Sequence, residues 1–152
     1  MSQTIWRLLI DDPADGAANM ARDEAIATVH AAGTTPPTLR LYRWRPACLS
    51  LGRFQRGDAV DRAACARAGV QVVRRPSGGR ALLHADELTY AVIARADHPP
   101  LDGGAILESY RRISAALLVG LRQLGAQAEL APVRRTDYRP STEDRGWRIE
   151  DR

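Results

Sequence analysis

The sequence has 152 residues, 45% of them hydrophobic, with a net charge of +4 and a sequence pI near 9.7. This length suits one compact domain with its own core and makes a second domain unlikely to fit. The chain has no apolar run of about eighteen residues and no signal-peptide pattern at its start, so we expect a cytoplasmic protein without a membrane span.

The basic residues are all arginine, 22 in number, because the sequence contains no lysine. No side-chain amine is therefore available for a Schiff base, for activating a nucleophile or for the phosphate contact of a P-loop. Cys48 and Cys65 make no disulfide framework, and their spacing does not suit a metal clip. We expect reduced thiols, no metal and no cofactor.

The first two elements are predicted to be a strand and a helix. Trp6 to Ile10 is a short apolar run ended by Asp-Asp-Pro, which is typical of a strand. A helical pattern then begins at Asn19, a plausible N-cap, and Gly33 is expected to end it. The residues predicted to line one face of this helix are Ala21, Ala25, Val29 and Ala32.

Five more elements are predicted between Thr38 and Ala94. Thr38 to Trp44 is predicted to be a half-buried strand, because Leu39 and Leu41 alternate with arginines, and Cys48 to Leu51 is predicted to be another. Asp61 to Ala68 is a short alanine-rich helix closed by Gly69. Strands are then expected at Val70 to Arg74 and, fully buried, at Leu88 to Ala94.

The clearest helix comes last and is amphipathic, ended by Gly125. Its apolar residues recur at intervals of three and four: Ile106, Tyr110, Ile113, Leu117, Leu121 and Leu124. Strands outnumber helices without alternating strictly with them, so we expect an α+β fold with helices packed on a mixed β-sheet. Residues 134–152 carry six arginines and five acids with no regular period, and we expect a charged, disordered tail after a domain of residues 1–133.

The segment RRPSGGRALLH, from Arg74 to His84, combines arginines with a Pro-Ser-Gly-Gly turn. Paired glycines let a backbone approach a ligand closely, and arginine supplies planar donors for a carboxylate or a phosphate. The segment is neither a Walker loop nor a GxGxxG motif. From the residues alone it is either a cradle for an anion or acyl carbonyl, or a tight turn with solvated arginines.

Longer stretches of the sequence resemble one family. PADGAANMARDEAI, PPTLRLYRWRPACLSLGRFQ, AGVQVVRRPSGGRALLH and GAILESYRRISAALLVGLRQLG are similar, in order, to the octanoyltransferases and lipoate-protein ligases of the biotin/lipoate ligase superfamily. The resemblance covers roughly residues 3–133. It implies a biotin/lipoate ligase-like catalytic domain that is incomplete at its C-terminus.

The resemblance also implies roles for individual residues. Arg75 matches the family arginine beside the acyl or adenylate group, and His84 matches the histidine that closes the acyl pocket. Arg80 stands where ATP-using ligases more often have a third glycine, so the segment looks more like a cysteine-type octanoyltransferase. The implied substrate-binding residues are Arg75, Ser77, Gly78, Gly79, Arg80, Ala81, Leu82, Leu83 and His84.

The implied function is the transfer of octanoyl from acyl carrier protein to a lysine of a lipoyl domain, in the H protein or a 2-oxoacid dehydrogenase subunit. The family's reactive cysteine and lysine are not recognisable, so we assign no catalytic residue and expect the isolated chain to be inactive. Cys48 is a weak candidate for a substitute nucleophile, and Cys65 is expected only to pack. Alternatives are an ATP-dependent lipoate ligase, or a non-catalytic acyl-binding fragment or half of a two-chain enzyme.

The expected partners are octanoyl-acyl carrier protein and lipoyl-domain proteins, which are acidic, and a second chain supplying the C-terminal segment. A cationic face would speed the encounter with acidic proteins. Nucleic acid is not expected, because only 5% of the residues are aromatic and the arginines are scattered, and no membrane partner is expected. Asp86 and Glu87 are predicted to be a solvated pair, since neighbouring residues on a strand point to opposite faces.

Overall fold

The computed structural model describes residues 5–98, 101 and 106–130. The chain divides into two units, Met1–Gly104 and Ala105–Arg152. All the strands that the structure describes lie in the first unit, with two of the helices, and the third helix lies in the second. The tail predicted at 134–152 lies outside the described residues, so its disorder and the domain boundary at residue 133 stay predictions.

The elements form two three-stranded mixed sheets. In the first sheet the strand order is β1-β2-β6, and in the second it is β4-β3-β5. Each central strand pairs with one neighbour in parallel and with the other antiparallel, which confirms the predicted α+β class with mixed sheets. The element bounds are β1 Arg7–Ile10, α1 Gly16–Ala31, β2 Thr38–Tyr42, β3 Cys48–Leu51, α2 Arg62–Arg67, β4 Gln71–Arg74, β5 Leu82–His84, β6 Thr89–Ile93 and α3 Ile106–Gln123, with a 3-10 turn at Gly57–Ala59.

Every predicted strand and helix has a counterpart among these elements, whereas β5 was not predicted. A strand of three residues is too short to establish an alternating pattern. The burial expected for Leu88 to Ala94 was wrong, because β6 is the edge of its sheet and Leu88 and Tyr90 are largely exposed.

The start and the buried face of α1 differ from the prediction. The N-cap is Asp15, whose Oδ1 accepts a hydrogen bond from the Ala18 amide at 2.7 Å. Asn19 lies inside the helix and is fully buried. The face predicted from Ala21, Ala25, Val29 and Ala32 is exposed. The buried positions of α1 are Gly16, Asn19, Met20, Asp23 and His30, a largely polar set that no apolar period reveals.

That polar face of α1 contacts a buried arginine of β2. Arg40 has no exposed surface, whereas Leu39 and Leu41 are partly exposed, so the predicted orientation of this strand was wrong. The Arg40 guanidinium donates to Asp11 at 2.8 Å, to Asp23 at 2.7 Å and to Asn19 Oδ1 at 2.8 Å. Burial of the charge is possible because the neighbouring groups compensate it.

A small apolar cluster lies next to these polar contacts. Its buried members are Met20, Tyr42, Trp44 and Cys48, with Val73 and Ala91 packed against them. The start of α1 sits so close to this cluster that a Cβ built on Gly16 would lie 2.6 Å from the Cys48 sulfur. A side chain at residue 16 would therefore push the helix away from β3.

The second unit is described by α3, which runs from Ile106 to Gln123 as predicted and is followed by Gly125 with a φ of +83°. Its apolar stripe is not buried, and Ile106 and Leu124 are more than four-fifths exposed. No helix within the part of the chain that the structure describes combines the length and the apolar character needed to cross a bilayer.

Candidate functional site

The loop between β4 and β5, residues 75–81, is the centre of the candidate site and is called the glycine loop below. Its first amide, that of Arg75, donates to the Leu51 carbonyl at the end of β3 at 2.9 Å. Further along, the Ser77 carbonyl accepts a hydrogen bond from the Arg53 amide at 2.9 Å. Gly79 has a φ of +91°, a conformation that side-chain-bearing residues rarely adopt. The loop is thus tied to the chain that follows β3.

Gly52, just after β3, packs tightly against the backbone of the glycine loop. A Cβ built on Gly52 would lie 1.9 Å from the Gly79 carbonyl oxygen. No side chain fits between the two segments, so glycine at residue 52 is required for their packing. The sequence reasoning did not identify Gly52, because the contact joins segments that are 27 residues apart, as the numbering of Gly52 and Gly79 gives.

The Arg75 guanidinium binds the loop from within. One nitrogen, Nη1, donates to the Ser50 carbonyl at 2.9 Å and to its hydroxyl at 3.1 Å. The other, Nη2, donates to the carbonyls of Gly78 and Arg80, both at 2.7 Å. These contacts fix the curvature of the glycine loop around a permanent positive charge. The role next to an acyl or adenylate group stays a prediction.

Arg74, the last residue of β4, donates hydrogen bonds to carbonyl groups of the segment that follows β3, as Arg75 does to those of the glycine loop. Its Nη1 contacts the carbonyls of Gly52 and Gln55 at 2.7 Å and that of Arg53 at 3.0 Å. Two consecutive arginines therefore hold two adjacent loops. Arg74 was not among the predicted site residues, although its position beside Arg75 was the available signal.

His84 ends β5 and is buried, with 6% of its surface exposed. Its ring stacks on the Trp44 indole, with centroids 4.3 Å apart and planes inclined by 13°. Nε2 lies 2.8 Å from the Ser50 hydroxyl, and Nδ1 is hydrogen-bonded to the Glu87 carboxylate. Both ring nitrogens therefore have partners inside the protein.

Glu87 was predicted to be one of a solvated pair with Asp86; its side chain is 41% exposed, but it also has partners within the protein that were not predicted. Its carboxylate accepts hydrogen bonds from Thr89 at 2.7 Å and from His84. Residues 85–87 form a bend rather than a strand, so the alternation of faces does not apply, and Asp86 is fully exposed. Burial alone would raise the pKa of Glu87, but the bonds from Thr89 and His84 lower it.

Three of the predicted substrate-binding residues are apolar: Ala81, Leu82 and Leu83. Ala81 is half-buried, while Leu82 and Leu83 are 53% and 62% exposed. Leu82 and Leu83 belong to β5, an edge strand, and as consecutive residues they point to its opposite faces. Both faces therefore carry accessible apolar surface next to the glycine loop. Ser77, Gly78 and Arg80 are exposed as well. The structure thus brings the predicted residues together on one loop and one short strand, and their contact with substrate stays a prediction.

The position of Cys48 is unfavourable for a nucleophile. Its side chain is completely buried in the apolar cluster, and burial raises the pKa of the thiol to about 11. A thiol in such a place is protonated near neutral pH and is closed to substrate. Cys65, half-buried on α2, is also a free thiol.

Comparisons with known proteins identify similar sequences along most of the chain. The family described as the lipoyl protein ligase A/B catalytic domain matches residues 15–141. An octanoyltransferase LipM of Moorella thermoacetica is 50% identical over 136 residues, which are 89% of this chain and 50% of the relative. One of Kyrpidia tusciae is 50% identical over 83% of this chain and 46% of the relative. The chain thus spans about half the length of the curated relatives it matches.

Solved structures with a similar fold come from the same group. A lipoate-protein ligase A bound with ATP has a TM-score of 0.67 and 30% identity, covering 84% of this chain and 51% of that protein. A bi-partite lipoate protein ligase from Thermoplasma acidophilum, studied with its E2 lipoyl domain, has a TM-score of 0.66 and 26% identity, covering 85% of this chain and 49% of that protein. Both similarities extend over more than four-fifths of this chain.

Proposed function

Because the chain belongs to the lipoyl protein ligase A/B catalytic domain family, we propose that it is the acyl-binding part of an octanoyltransferase. The complete enzyme would move octanoyl from acyl carrier protein to a lysine of a lipoyl domain. The 50% identity with octanoyltransferases supports this reaction over others in the family. The glycine loop and its exposed leucines are the part of the chain that would hold the acyl group.

The observation that carries the proposal is the joint geometry of the glycine loop and β5. Arg75 holds the loop carbonyls from within, so the backbone is already curved before any ligand arrives. Leu82 and Leu83 offer apolar surface directly beyond it, which suits a medium hydrocarbon chain. Because consecutive side chains of a strand point to opposite faces, an acyl tail would lie against one of the two leucines, and burying it would contribute on the order of 2 kcal/mol.

The charge around the loop supports acidic partners. Arg53 and Arg80 are exposed there, and each side chain could meet a carboxylate of a carrier protein or a lipoyl domain. Such contacts raise association rates more than affinity and weaken with salt. We infer a cytoplasmic location, where thiols such as Cys48 and Cys65 stay reduced.

We also propose that acyl transfer requires a second polypeptide segment, supplied by another chain. The chain covers about half of its relatives' length, and one structurally similar ligase is bi-partite. The sequence of this chain contains no lysine to serve as the family's catalytic lysine.

The test is an acyl transfer assay with octanoyl carrier protein and an apo lipoyl domain, read by the mass of the lipoyl domain. One arm contains this chain alone, and a second adds the C-terminal half of the Moorella relative as a separate polypeptide. We expect octanoyl addition only in the second arm. Addition in the first arm would contradict the need for a second segment, and none in either arm, with the intact relative active, would contradict the octanoyltransferase.

The alternative of an ATP-dependent lipoate ligase is favoured by one observation, the similarity to a ligase bound with ATP. It predicts lipoyl addition from free lipoate only when ATP is present, in the same two arms. A third alternative, a non-catalytic acyl-binding fragment, predicts octanoate binding without transfer in any arm.

A further inference from the structure

Ser50, His84 and Glu87 lie in the order of a hydroxyl, an imidazole and a carboxylate. The Ser50 oxygen is 2.8 Å from His84 Nε2, and His84 Nδ1 is bonded to Glu87. This is the order of groups in a catalytic triad. Ser50, however, is completely buried on the central strand β3, and Arg75 contacts its hydroxyl at 3.1 Å. The hydroxyl has no access to a substrate, so the three groups must serve another purpose.

The direction of each hydrogen bond follows from the chemistry of the donors. A guanidinium only donates, so the Ser50 oxygen accepts from Arg75. The hydroxyl proton then needs an acceptor, and among the described residues the other partner of this hydroxyl is His84 Nε2. Nε2 must therefore be unprotonated, and the ring proton lies on Nδ1 and is donated to Glu87.

Glu87 has a second hydrogen-bond donor besides His84. Its carboxylate also accepts from the Thr89 hydroxyl, whose oxygen accepts from the Trp44 indole at 2.7 Å. Since Trp44 stacks on His84, the contacts form a closed ring of four side chains. Glu87 Oε1 therefore has two hydrogen-bond donors, and the His84 ring is positioned by a stack and two hydrogen bonds.

We propose that Glu87 is a positioning residue for the glycine loop: it holds His84 as the Nδ1–H tautomer and thereby, through the Ser50 hydroxyl, sets the place of Arg75. Arg75 in turn holds the carbonyls of Gly78 and Arg80. Both nitrogens of His84 are used within the protein, so His84 is a support of the loop rather than a base that meets substrate. The importance of this for acyl transfer rests on the proposed function, whereas the tautomer itself does not.

The tautomer is measured by nitrogen-15 NMR of the histidine rings in the full chain near neutral pH. His84 signals are identified by comparison with His30→Gln and His98→Gln variants, which retain it. We expect a protonated, pyrrole-type Nδ1 and an unprotonated, pyridine-type Nε2. A ring protonated on Nε2, alone or together with Nδ1, would overturn the proposal, and the result is independent of any acyl transfer.

The coupling to the loop is measured with Glu87→Ala and Glu87→Gln, against the matched control Asp86→Asn. The control removes a neighbouring carboxylate that is fully exposed. In Glu87→Ala we expect mixed His84 tautomers and hydrogen exchange of the Arg53 amide, which donates to the Ser77 carbonyl of the loop, faster by at least about tenfold, with Glu87→Gln intermediate and Asp86→Asn unchanged. If Glu87→Ala does not fold, Glu87→Gln decides alone. Unchanged ring signals and unchanged exchange of the Arg53 amide in a folded Glu87 variant would refute the proposal.

Discussion

Arg40 and Asp23 form a buried ion pair between β2 and α1, with Arg40 Nη1 and Asp23 Oδ1 2.7 Å apart. Asp11 adds a second carboxylate at 2.8 Å, and the Arg40 guanidinium lies 3.9 Å from the centre of the Tyr42 ring. Asp23 also accepts a hydrogen bond from the Tyr42 hydroxyl at 3.2 Å. This cluster joins the first helix to the first sheet by polar contacts.

Replacing Arg40 by methionine is expected to lower the free energy of unfolding by about 3–5 kcal/mol, because it leaves Asp23 buried without its counter-charge. Urea unfolding followed by circular dichroism measures the change. Arg22→Met is the matched control, since the exposed Arg22 also contacts Asp11, at 3.4 Å, and such surface pairs contribute less than about 1 kcal/mol. Equal losses in the two variants would contradict the central role of Arg40.

Asn19→Ala is expected to destabilise the protein more than Asp15→Ala does. Asn19 is buried, and its side chain bonds Arg40 and the carbonyls of Ala14 and Arg43, so several partners would be left unsatisfied. Asp15→Ala removes only a helix cap, at a cost of about 1 kcal/mol. Both are measured by urea unfolding, and the opposite order would show that the buried contacts of Asn19 stabilise the protein less than the Asp15 cap does.

Gly52→Ala is expected to disturb the glycine loop, because the added methyl group would lie 1.9 Å from the Gly79 oxygen. We expect a loss of about 1–3 kcal/mol, as for other overpacked sites, and faster exchange of the Arg53 amide, which donates to the Ser77 carbonyl. Gly57→Ala is the control, since nothing lies within 4 Å of a Cβ at that residue. A Gly52→Ala protein as stable as Gly57→Ala would show that the loops separate easily.

The Cys48 thiol is expected to resist alkylation in the native protein near neutral pH and to react after unfolding. Burial raises its pKa to about 11 and shields the sulfur from reagent. Peptide mass spectrometry after iodoacetamide treatment measures the labelling, with the less buried Cys65 as the internal comparison. Labelling of native Cys48 at the rate of Cys65 would reopen its candidacy as a nucleophile.

The raised pKa of Cys48 also predicts how the free energy of unfolding depends on pH. An unfolded thiol loses its proton above its ordinary pKa of 9.0, whereas native Cys48 keeps it until about 11. The free energy of unfolding should therefore fall as pH rises from about 9 to 11. The Tyr42 pKa is raised as well, chiefly by burial, and acts in the same direction. Over this pH range, the free energy of unfolding measured with urea should fall less steeply for Cys48→Ala than for the wild type. For Cys65→Ala it should match the wild type.

The positions of most elements could be predicted from the sequence because local signals determined them. Asp61 caps α2 by accepting from the Ala64 amide, and Gly69, with a φ of +67°, follows its end. The pairing of β3 with β4 likewise follows apolar runs that were visible as strands. The glycine loop was found for the same reason, since its residues are consecutive.

The orientation of β2 and the role of Glu87 could not be predicted, because they depend on residues distant in sequence. Alternation placed Leu39 and Leu41 inward, and only the carboxylates and amide brought by α1 and Asp11 make a buried Arg40 tolerable. Glu87 gained its partner because β5 ends at His84 and the chain bends there. Neither the burial of Arg40 nor the bond between Glu87 and His84 can be read from the spacing of apolar residues along the sequence.

The stack of Trp44 on His84 gives the glycine loop an optical reporter. The emission of an indole is sensitive to the groups in contact with it, so the fluorescence of Trp44, whose ring centroid lies 4.3 Å from that of His84, depends on whether the imidazole stays in place. Trp6 and Trp147 are the other tryptophans in the sequence, and replacing both by phenylalanine would leave one fluorophore. Ligand arrival at the loop could then be followed in real time without attaching a dye.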